Sequence, residues 1–377
     1  MKPFLIIFIF IAGTGLNWVY PTRLLRPDTS CQNRANLDSL KITGQSVRIA
    51  FWNLENLYDP YDDTTKLDDE YTAMGAKHWS YGKFRIKLNH LAKTLLAIGK
   101  WEPPALIGFC EVENRYVLNK LIYDSPLKPW KYKFIHHESP DIRGIDVALL
   151  YRPAHFKPIF SKNILIRFPF DTLSQTREIL MVKGVVFNRD TLTLFINHWP
   201  SRRGGALASQ PRRNYVAAIL RKTVDSLLQA ETSHGIELSN ILILGDFNDE
   251  PTDESVCQVL GAAYDSFPCR NRGLFNLMGP KLSREGSHKY QGNWALLDQI
   301  IISSSLLRGS NGLQTEPSKA HIFKPGFLLE EDARFFGDRP SRTYNGPKYL
   351  GGFSDHLPVY VDVLKCFAPC THVIKCQ

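Results

Sequence analysis

Short apolar runs recur along this chain, and they repeatedly end in or adjoin a polar group. Val47-Arg48-Ile49-Ala50-Phe51-Trp52 runs into Asn53, and Ala105-Leu106-Ile107-Gly108-Phe109-Cys110 delivers Glu111. Thr193-Leu194-Phe195-Ile196 delivers Asn197-His198, and Ile241-Leu242-Ile243-Leu244 closes on Gly245-Asp246-Phe247-Asn248. Near the C-terminus come Leu297-Asp298-Gln299-Ile300-Ile301-Ile302 and then Ser354-Asp355-His356-Leu357-Pro358-Val359. Runs of this length, rich in β-branched and aromatic residues, predict buried strands. Residues 84–98 switch to a helical period. Apolar side chains at Phe84, Ile86, Leu88, Leu91, Leu95 and Ile98 lie among Arg85, Lys87 and Lys93, with Phe84 and Ile86 fitting the stripe less well. Residues 182–187 and 192–196 flank Asn188-Arg189-Asp190 and predict a hairpin. No internal repeat, low-complexity tract or linker interrupts this alternation, so one α/β domain is expected.

Strand side chains two residues apart share a face, which puts Asp246 and Asn248 on the same side of the sheet. A carboxylate there can hold a metal or take a proton from water, and the amide can donate to a phosphoryl oxygen without adding charge. Apolar strands that repeatedly end in Asn, Glu, His or Asp predict one polar pocket at a shared sheet edge.

The pieces WNLEN, CEVEN, NHWPSRRGG, GDFND, LDQI and SDHLPV occur in this order between residues 47 and 363. Together they resemble the endonuclease/exonuclease/phosphatase superfamily, with its DNase I-like fold. The stretches RGIDVALLYRP and RTYNGPKYLGGFSDHLPVY look like those of its secreted bacterial members. The resemblance implies a four-layer α-β-β-α sandwich, two packed mixed β-sheets flanked by helices, over residues 47–365. It also implies a hydrolase of phosphoric esters. Glu111 is then the principal metal ligand, with Asn53 beside it and Asp355 closing the site. Mg²⁺ is the expected ion, with Mn²⁺ or Ca²⁺ as alternatives. Asp246 aligns or deprotonates water, Asn248 donates to a phosphoryl oxygen, and Asp298 orients the imidazole of His356. His198 resembles the second histidine of the pancreatic deoxyribonuclease branch, and Glu138 roughly matches its carboxylate partner, across a shorter loop. The split of acid and base between the histidines is open.

Composition changes this picture little. With 377 residues, 44% of them hydrophobic and 22% charged, the chain has ample core material for a globular protein. Its net charge of +9 suits a polyanionic partner. Arg202, Arg203, Arg212 and Arg213 follow His198, and Lys281, Arg284, His288 and Lys289 precede Asp298. Such cations would neutralise phosphates, and a solvated basic face is the alternative. Arg143 either reaches phosphate or pairs with Asp141 or Asp146. Trp52, Trp199 and Trp294 either stack bases or pack. The acidic residues between Asp59 and Glu70 lack a calcium-loop spacing and read as a solvated loop.

Residues 1–30 read as a signal peptide or an N-terminal anchor. Met1-Lys2 precedes an apolar run from Phe4 to Ala12 with small residues behind it, and export to the periplasm or beyond is favoured. Of the seven cysteines, Cys110 reads as a core thiol, Cys257 and Cys269 are close enough in sequence for a disulfide, and three crowd the tail 366–377. The leading functional expectation is a secreted, monomeric, metal-dependent nuclease acting on DNA or RNA. The second is the same site on inositol-phosphate headgroups or sphingomyelin. The third is a non-catalytic binding module.

Overall fold

Two seven-stranded mixed sheets pack face to face in this computed structural model, which describes residues 45–100, 102–233, 239–264 and 273–366. The signal or anchor segment, Cys269 and the cysteine tail beyond Cys366 lie outside the described residues.

The first-sheet strands that open the chain are β1 (Ser46–Leu57), β2 (Leu106–Val112), β3 (Lys133–His136) and β4 (Asp146–Tyr151). Next come β5 (Phe156–Ile164), β6 (Ile179–Val186), β7 (Asp190–His198), β8 (Ile241–Asp246), β9 (Ala262–Ala263) and β10 (Leu274–Asn276) of the second sheet. A small hairpin of β11 (His288–Tyr290) and β12 (Asn293–Ala295) leads into β13 (Asp298–Ser303), the last strand of the second sheet. The chain then returns to the first sheet with β14 (Leu313–Gln314) and β15 (Ala320–Ile322). Two surface hairpins follow, β16 (Leu329–Glu331) with β17 (Asp338–Pro340) and β18 (Tyr344–Asn345) with β19 (Lys348–Tyr349). The last strand, β20 (Val359–Lys365), lies beside β1.

Strand alternation builds the layers. In the second sheet Leu180, Val182, Leu194, Ile196, Leu242, Leu244, Ile300 and Ile302 face the first sheet and join its core. Their neighbours Ile179, Met181, Phe195, Ile241, Ile243 and Ile301 face α3 (Ala206–Ser233) instead. Both faces are therefore apolar, as in strands covered on two sides. The first sheet is covered by α1 (Tyr81–Ile98), whose Phe84, Leu88, Leu91, Leu95 and Ile98 are buried. The expected stripe needs one correction: Ile86 is exposed, and Lys87 occupies the buried face in its place. The α2 helix (Arg115–Tyr123) starts at Asn114, whose side chain accepts from the Tyr116 and Val117 amides. The β6–β7 hairpin turns through Phe187 and Asn188, both at positive φ, which matches the twist of the strands it joins.

A repeat invisible in the sequence emerges here. In the first sheet β1 runs parallel to β2 across α1, β2 pairs antiparallel with β4, and β4 with β3. In the second, β7 runs parallel to β8 across α3, β8 pairs antiparallel with β13, and β13 with β10. Even the flanking antiparallel strands correspond, β20 beside β1 and β6 beside β7. Glu111 and Asp246 thus stand at equivalent strand ends. Asp146 and Asp298 open the equivalent neighbouring strands.

Candidate active site

Four strand ends converge where the sheets meet. His198, Asp246 and Asp298 stand in one row of the second sheet, because His198 registers with Asp246 and Asp246 with Asp298. Gly245 permits this row. A Cβ built on it would lie 2.6 Å from Asn197 Cβ, so any larger residue would push β7 and β8 apart. From the first sheet, Asn53 Nδ2 donates to Asp246 Oδ2 at 3.0 Å, tying the two halves together. Glu111 sits at a β-bulge with φ of 59°, a left-handed conformation that turns its side chain out of the strand. Its Oε2 accepts from the Asn56 amide, and its Oε1 lies 3.7 Å from His198 Nε2.

The loop before β20 supplies the other imidazole. His356 Nδ1 lies 2.7 Å from Asp298 Oδ2, and its Nε2 lies 3.9 Å from Asp246 Oδ2. The loop is pinned from beneath: Trp52 Nε1 donates to the His356 carbonyl, and Ser354 Oγ donates to that of Asn53. Ser287 joins the parts, its hydroxyl accepting from the Asp298 amide and its carbonyl from that of Leu357.

Both histidines approach Asp246, yet one is held neutral and the other cationic. Burial depresses His198, and the Arg177 and Arg143 guanidiniums with the His356 cation press the same way, holding it well below the ordinary histidine range. Its Nδ1 is buried without a hydrogen-bond partner. Burial works against the His356 cation too, but the Asp298, Asp246 and Asp355 carboxylates overcome it and hold the ring well above the ordinary range. Asp246 is pushed up to about 7, chiefly by burial and by Asp298 against the pull of His356 and its hydrogen bonds.

Several sequence expectations need correcting. Asn248 does not share a strand face with Asp246, because β8 ends at Asp246 and Asn248 turns into the left-handed region at φ 50°. Its amide donates to the Trp199 carbonyl, and its own N–H returns to Asp246 Oδ1. Glu138 is not brought to His198. It is exposed beside His136, while the carboxylates within 4.0 Å of His198 among the described residues are Glu111 and Asp246. Asp355 accepts from Arg342 Nη2 at 3.0 Å. Three histidine, cysteine and carboxylate trios have ligand atoms within 4.8 Å of one another among the described residues, and neither Glu111 nor Asp355 belongs to any of them.

The basic flank is mostly spent internally. Arg202 binds the Asn248 carbonyl, Asp249 and Asp253; Arg213 is buried against Asp249; Arg212 pairs with Asp171. Lys289 pairs with Asp332 at 3.1 Å. Arg203 is exposed and has no ion pair among the described residues. Arg143 lies 3.4 Å from Asp141, with its charge felt at Glu111 and His198. Trp52 and Trp199 are fully buried, whereas Trp294 is partly exposed beneath Lys324, 4.1 Å from the ring centre. The acidic loop is not wholly solvated either, since Asp59 and Asp68 are buried and accept backbone hydrogen bonds.

Other residues join the site: His288, read from the sequence as one of the phosphate-neutralising cations, is partly buried instead, and Arg342 and Lys87 were not marked. His288 packs on His356, with ring centres 4.6 Å apart, and burial lowers it to about 4. Arg342 bridges Asp355 and Glu55. Lys87 donates to the Thr343 hydroxyl and the Phe353 carbonyl, and burial lowers it to about 8. A lysine on the apolar face of α1 was the one available hint.

Residues 48–365 match the Endonuclease/Exonuclease/phosphatase family. The chain belongs to that family. This phosphoesterase is therefore a hydrolase acting on phosphoester bonds, in a family that depends on divalent metal. Solved structures agree on its fold. A Bacteroides thetaiotaomicron endonuclease/exonuclease/phosphatase family protein, 14% identical, aligns over 86% of this chain and 99% of its own with a TM-score of 0.54. A mannosyl-6-phosphatase from the same organism, 14% identical, aligns over 84% and 99% with a TM-score of 0.51. The human Nocturnin catalytic domain with bound sulfate, 16% identical, aligns over 84% and 94% with a TM-score of 0.50. No curated protein matches the phosphoesterase in sequence.

Proposed function

We propose that this phosphoesterase is an exported, monomeric nuclease that hydrolyses DNA or RNA phosphodiesters with Mg²⁺. The observation that carries the reading is the pair of imidazoles on either side of Asp246, one held neutral and one held cationic. Diester cleavage needs a proton removed from water and a proton given to an alkoxide, and such a pair offers both. Asp246, near 7, takes the proton of the attacking water or aligns it. His356, recharged and oriented by Asp298, is the cationic donor beside the phosphoryl group or leaving oxygen. His198 accepts or relays a proton in its neutral form. Asn248, with its amide on the Trp199 carbonyl, reaches the phosphoryl oxygen only after exchanging that bond.

The donors suit Mg²⁺. The Glu111 carboxylate is a hard oxygen ligand, partly open to solvent, with Oε1 free of hydrogen bonds. Asn53 Oδ1 accepts one backbone N–H from Glu55 and keeps a lone pair. Asp355 would join them only by sharing its carboxylate with Arg342. Bound there, the ion would supply Lewis-acid polarisation of the phosphoryl oxygen and charge for the leaving oxygen.

Beside Asp355 a cleft of about 260 Å³ is lined by Tyr290, Phe335, Arg334, Arg339 and Arg342, among others. Arg339 and Arg342 are paired with carboxylates there, and the exposed Tyr290 and Phe335 rings beside Arg334 favour a nucleic-acid strand, through stacking and phosphate contact. One observation favours the second reading, a small phosphoester such as an inositol-phosphate or sphingomyelin headgroup. Arg202, Arg212 and Arg213 are neutralised internally, which shortens the track available to a polyanion. Plasmid, single-stranded DNA, RNA, phosphoinositides and sphingomyelin, each with Mg²⁺ and with chelator, separate the readings. Chelator-sensitive cleavage of a nucleic acid is expected. Turnover of lipid headgroups alone overturns the nuclease.

A further inference from the structure

At the outer corner of the first sheet, a second cluster stands apart from the row of His198, Asp246 and Asp298. His136 closes β3, Asp146 opens β4, and Glu138 follows two residues after His136. Ligand atoms of all three lie within 4.8 Å of one another. His136 is buried, with nothing of its side chain exposed. Its Nε2 lies 2.9 Å from Asp146 Oδ2, and Asp146 Oδ1 accepts from the Ser139 amide. In the tautomer that donates Nε2–H to that carboxylate, the Nδ1 lone pair is left for a ligand. Nδ1 is buried without a hydrogen-bond partner among the described residues, and it faces Glu138 Oε1 across 3.9 Å.

We propose that His136 Nδ1 and the Glu138 carboxylate, oriented by Asp146, hold a second divalent transition ion of the zinc class. A carboxylate behind a ligating imidazole is the usual way to fix its tautomer and raise its basicity. Imidazole with carboxylate suits zinc and its neighbours better than magnesium. Bonds of about 2.0–2.2 Å at a tetrahedral angle separate two ligand atoms by about 3.4 Å. The present 3.9 Å needs only a small swing of Glu138, whose side chain is 57% exposed. Waters complete the shell. The ion would also relieve the crowding of Glu138 against Asp146.

The site has a mechanical consequence. His136 and Asp146 bracket the loop that carries Asp141 and Arg143, and the charge of Arg143 acts on both Glu111 and His198. Lys66 holds the same loop from below, donating to the Ser139 and Asp141 carbonyls. An ion at its mouth would fix the loop from a second side. This holds for whichever phosphoester the enzyme cleaves.

Co²⁺ titrated into the chelator-stripped full chain tests the proposal, read by visible absorption and by bound metal per chain. The unaltered protein should bind Co²⁺ at a site that persists in Glu111→Gln and weakens at least 10-fold in Glu138→Gln and His136→Gln. Because Glu138 is exposed, its variant carries the test should His136→Gln fail to fold. Unchanged Co²⁺ stoichiometry and affinity in Glu138→Gln would overturn the site. So would Co²⁺ binding that vanishes with Glu111→Gln alone.

Discussion

Two aspartate–histidine pairs stand at equivalent ends of the two sheets, and they are equipped differently. Asp298 opens β13 and holds His356 Nδ1 at 2.7 Å; Asp146 opens β4 and holds His136 Nε2 at 2.9 Å. Beyond His356 lie Asp246, Asp355 and the His288 ring, so its free nitrogen faces charge inside the protein. Beyond His136 lies one exposed glutamate, so its free nitrogen faces an opening. The repeated topology supplies the two aspartates, while the imidazoles come from non-equivalent elements, the end of β3 and the loop before β20, and each has one fixed edge. The neighbours of the other edge decide whether the ring becomes a proton donor or a ligand.

Asp298→Asn should break the first pair with the largest effect. It removes the charge that sustains the His356 cation, and a lost proton-transfer group costs about 10²–10⁴-fold in kcat. Asp146→Asn should leave kcat within about 10-fold. Its cost appears in unfolding experiments, because one of the two donors, the Ser139 amide or the His136 N–H, meets an NH₂ group in place of its buried acceptor, a loss worth about 1–3 kcal/mol. Equal losses of kcat in the two variants would erase the distinction drawn here.

Much of this contrast was legible in the sequence, and the illegible part has a physical cause. Apolar runs closing on Glu111, His198 and Asp246 marked strand ends, and Asp298 marked the start of one, whereas Asn53 lies inside β1, which continues to Leu57. The twofold topology left no trace, since packing constrains polarity rather than identity: Glu111 and Asp246 occupy equivalent ends behind Cys110 and Gly245. Nor does sequence reveal partners. The arginines after His198 read as a phosphate track until Asp171, Asp249 and Asp253, distant in sequence from some of them, neutralise three. Glu138, matched by resemblance to the carboxylate partner of His198, stands beside His136 instead, for the same reason.

A pH profile sharpens the comparison at smaller amplitude. Asp246 is an acid raised to about 7 and acts deprotonated, so kcat/KM should climb with pH through about 7. His356 is raised and acts protonated, so the rate should persist above the ordinary histidine range and fall as pH rises through its elevated value. Asp298→Asn should draw that alkaline limb to lower pH, because the carboxylate that raises His356 is gone. Asp146→Asn should move neither limb. An alkaline limb that stays put in Asp298→Asn would detach His356 from the profile.

The smallest effect concerns the residues just before the two equivalent carboxylates, Cys110 and Gly245. Behind Asp246 the sheet has no room for a side chain, and Gly245→Ala should cost about 1–3 kcal/mol by overpacking against Asn197. Behind Glu111 the bulge opens space, and the Cys110 thiol fills it within 4.8 Å of ligand atoms on His198 and Asp246. Burial, with the Asp246 and Glu111 charges, pushes that thiol well above its usual range, so it stays protonated and serves as packing. Cys110→Ala should therefore lose about 1 kcal/mol or less of stability, the price of a small cavity, and keep chelator-sensitive turnover within a few-fold. Thermal unfolding and initial rates on one substrate check both. A Cys110→Ala enzyme that folds normally but needs far more metal would make the thiol a ligand, and the two halves would then differ in chemistry where they now differ only in space.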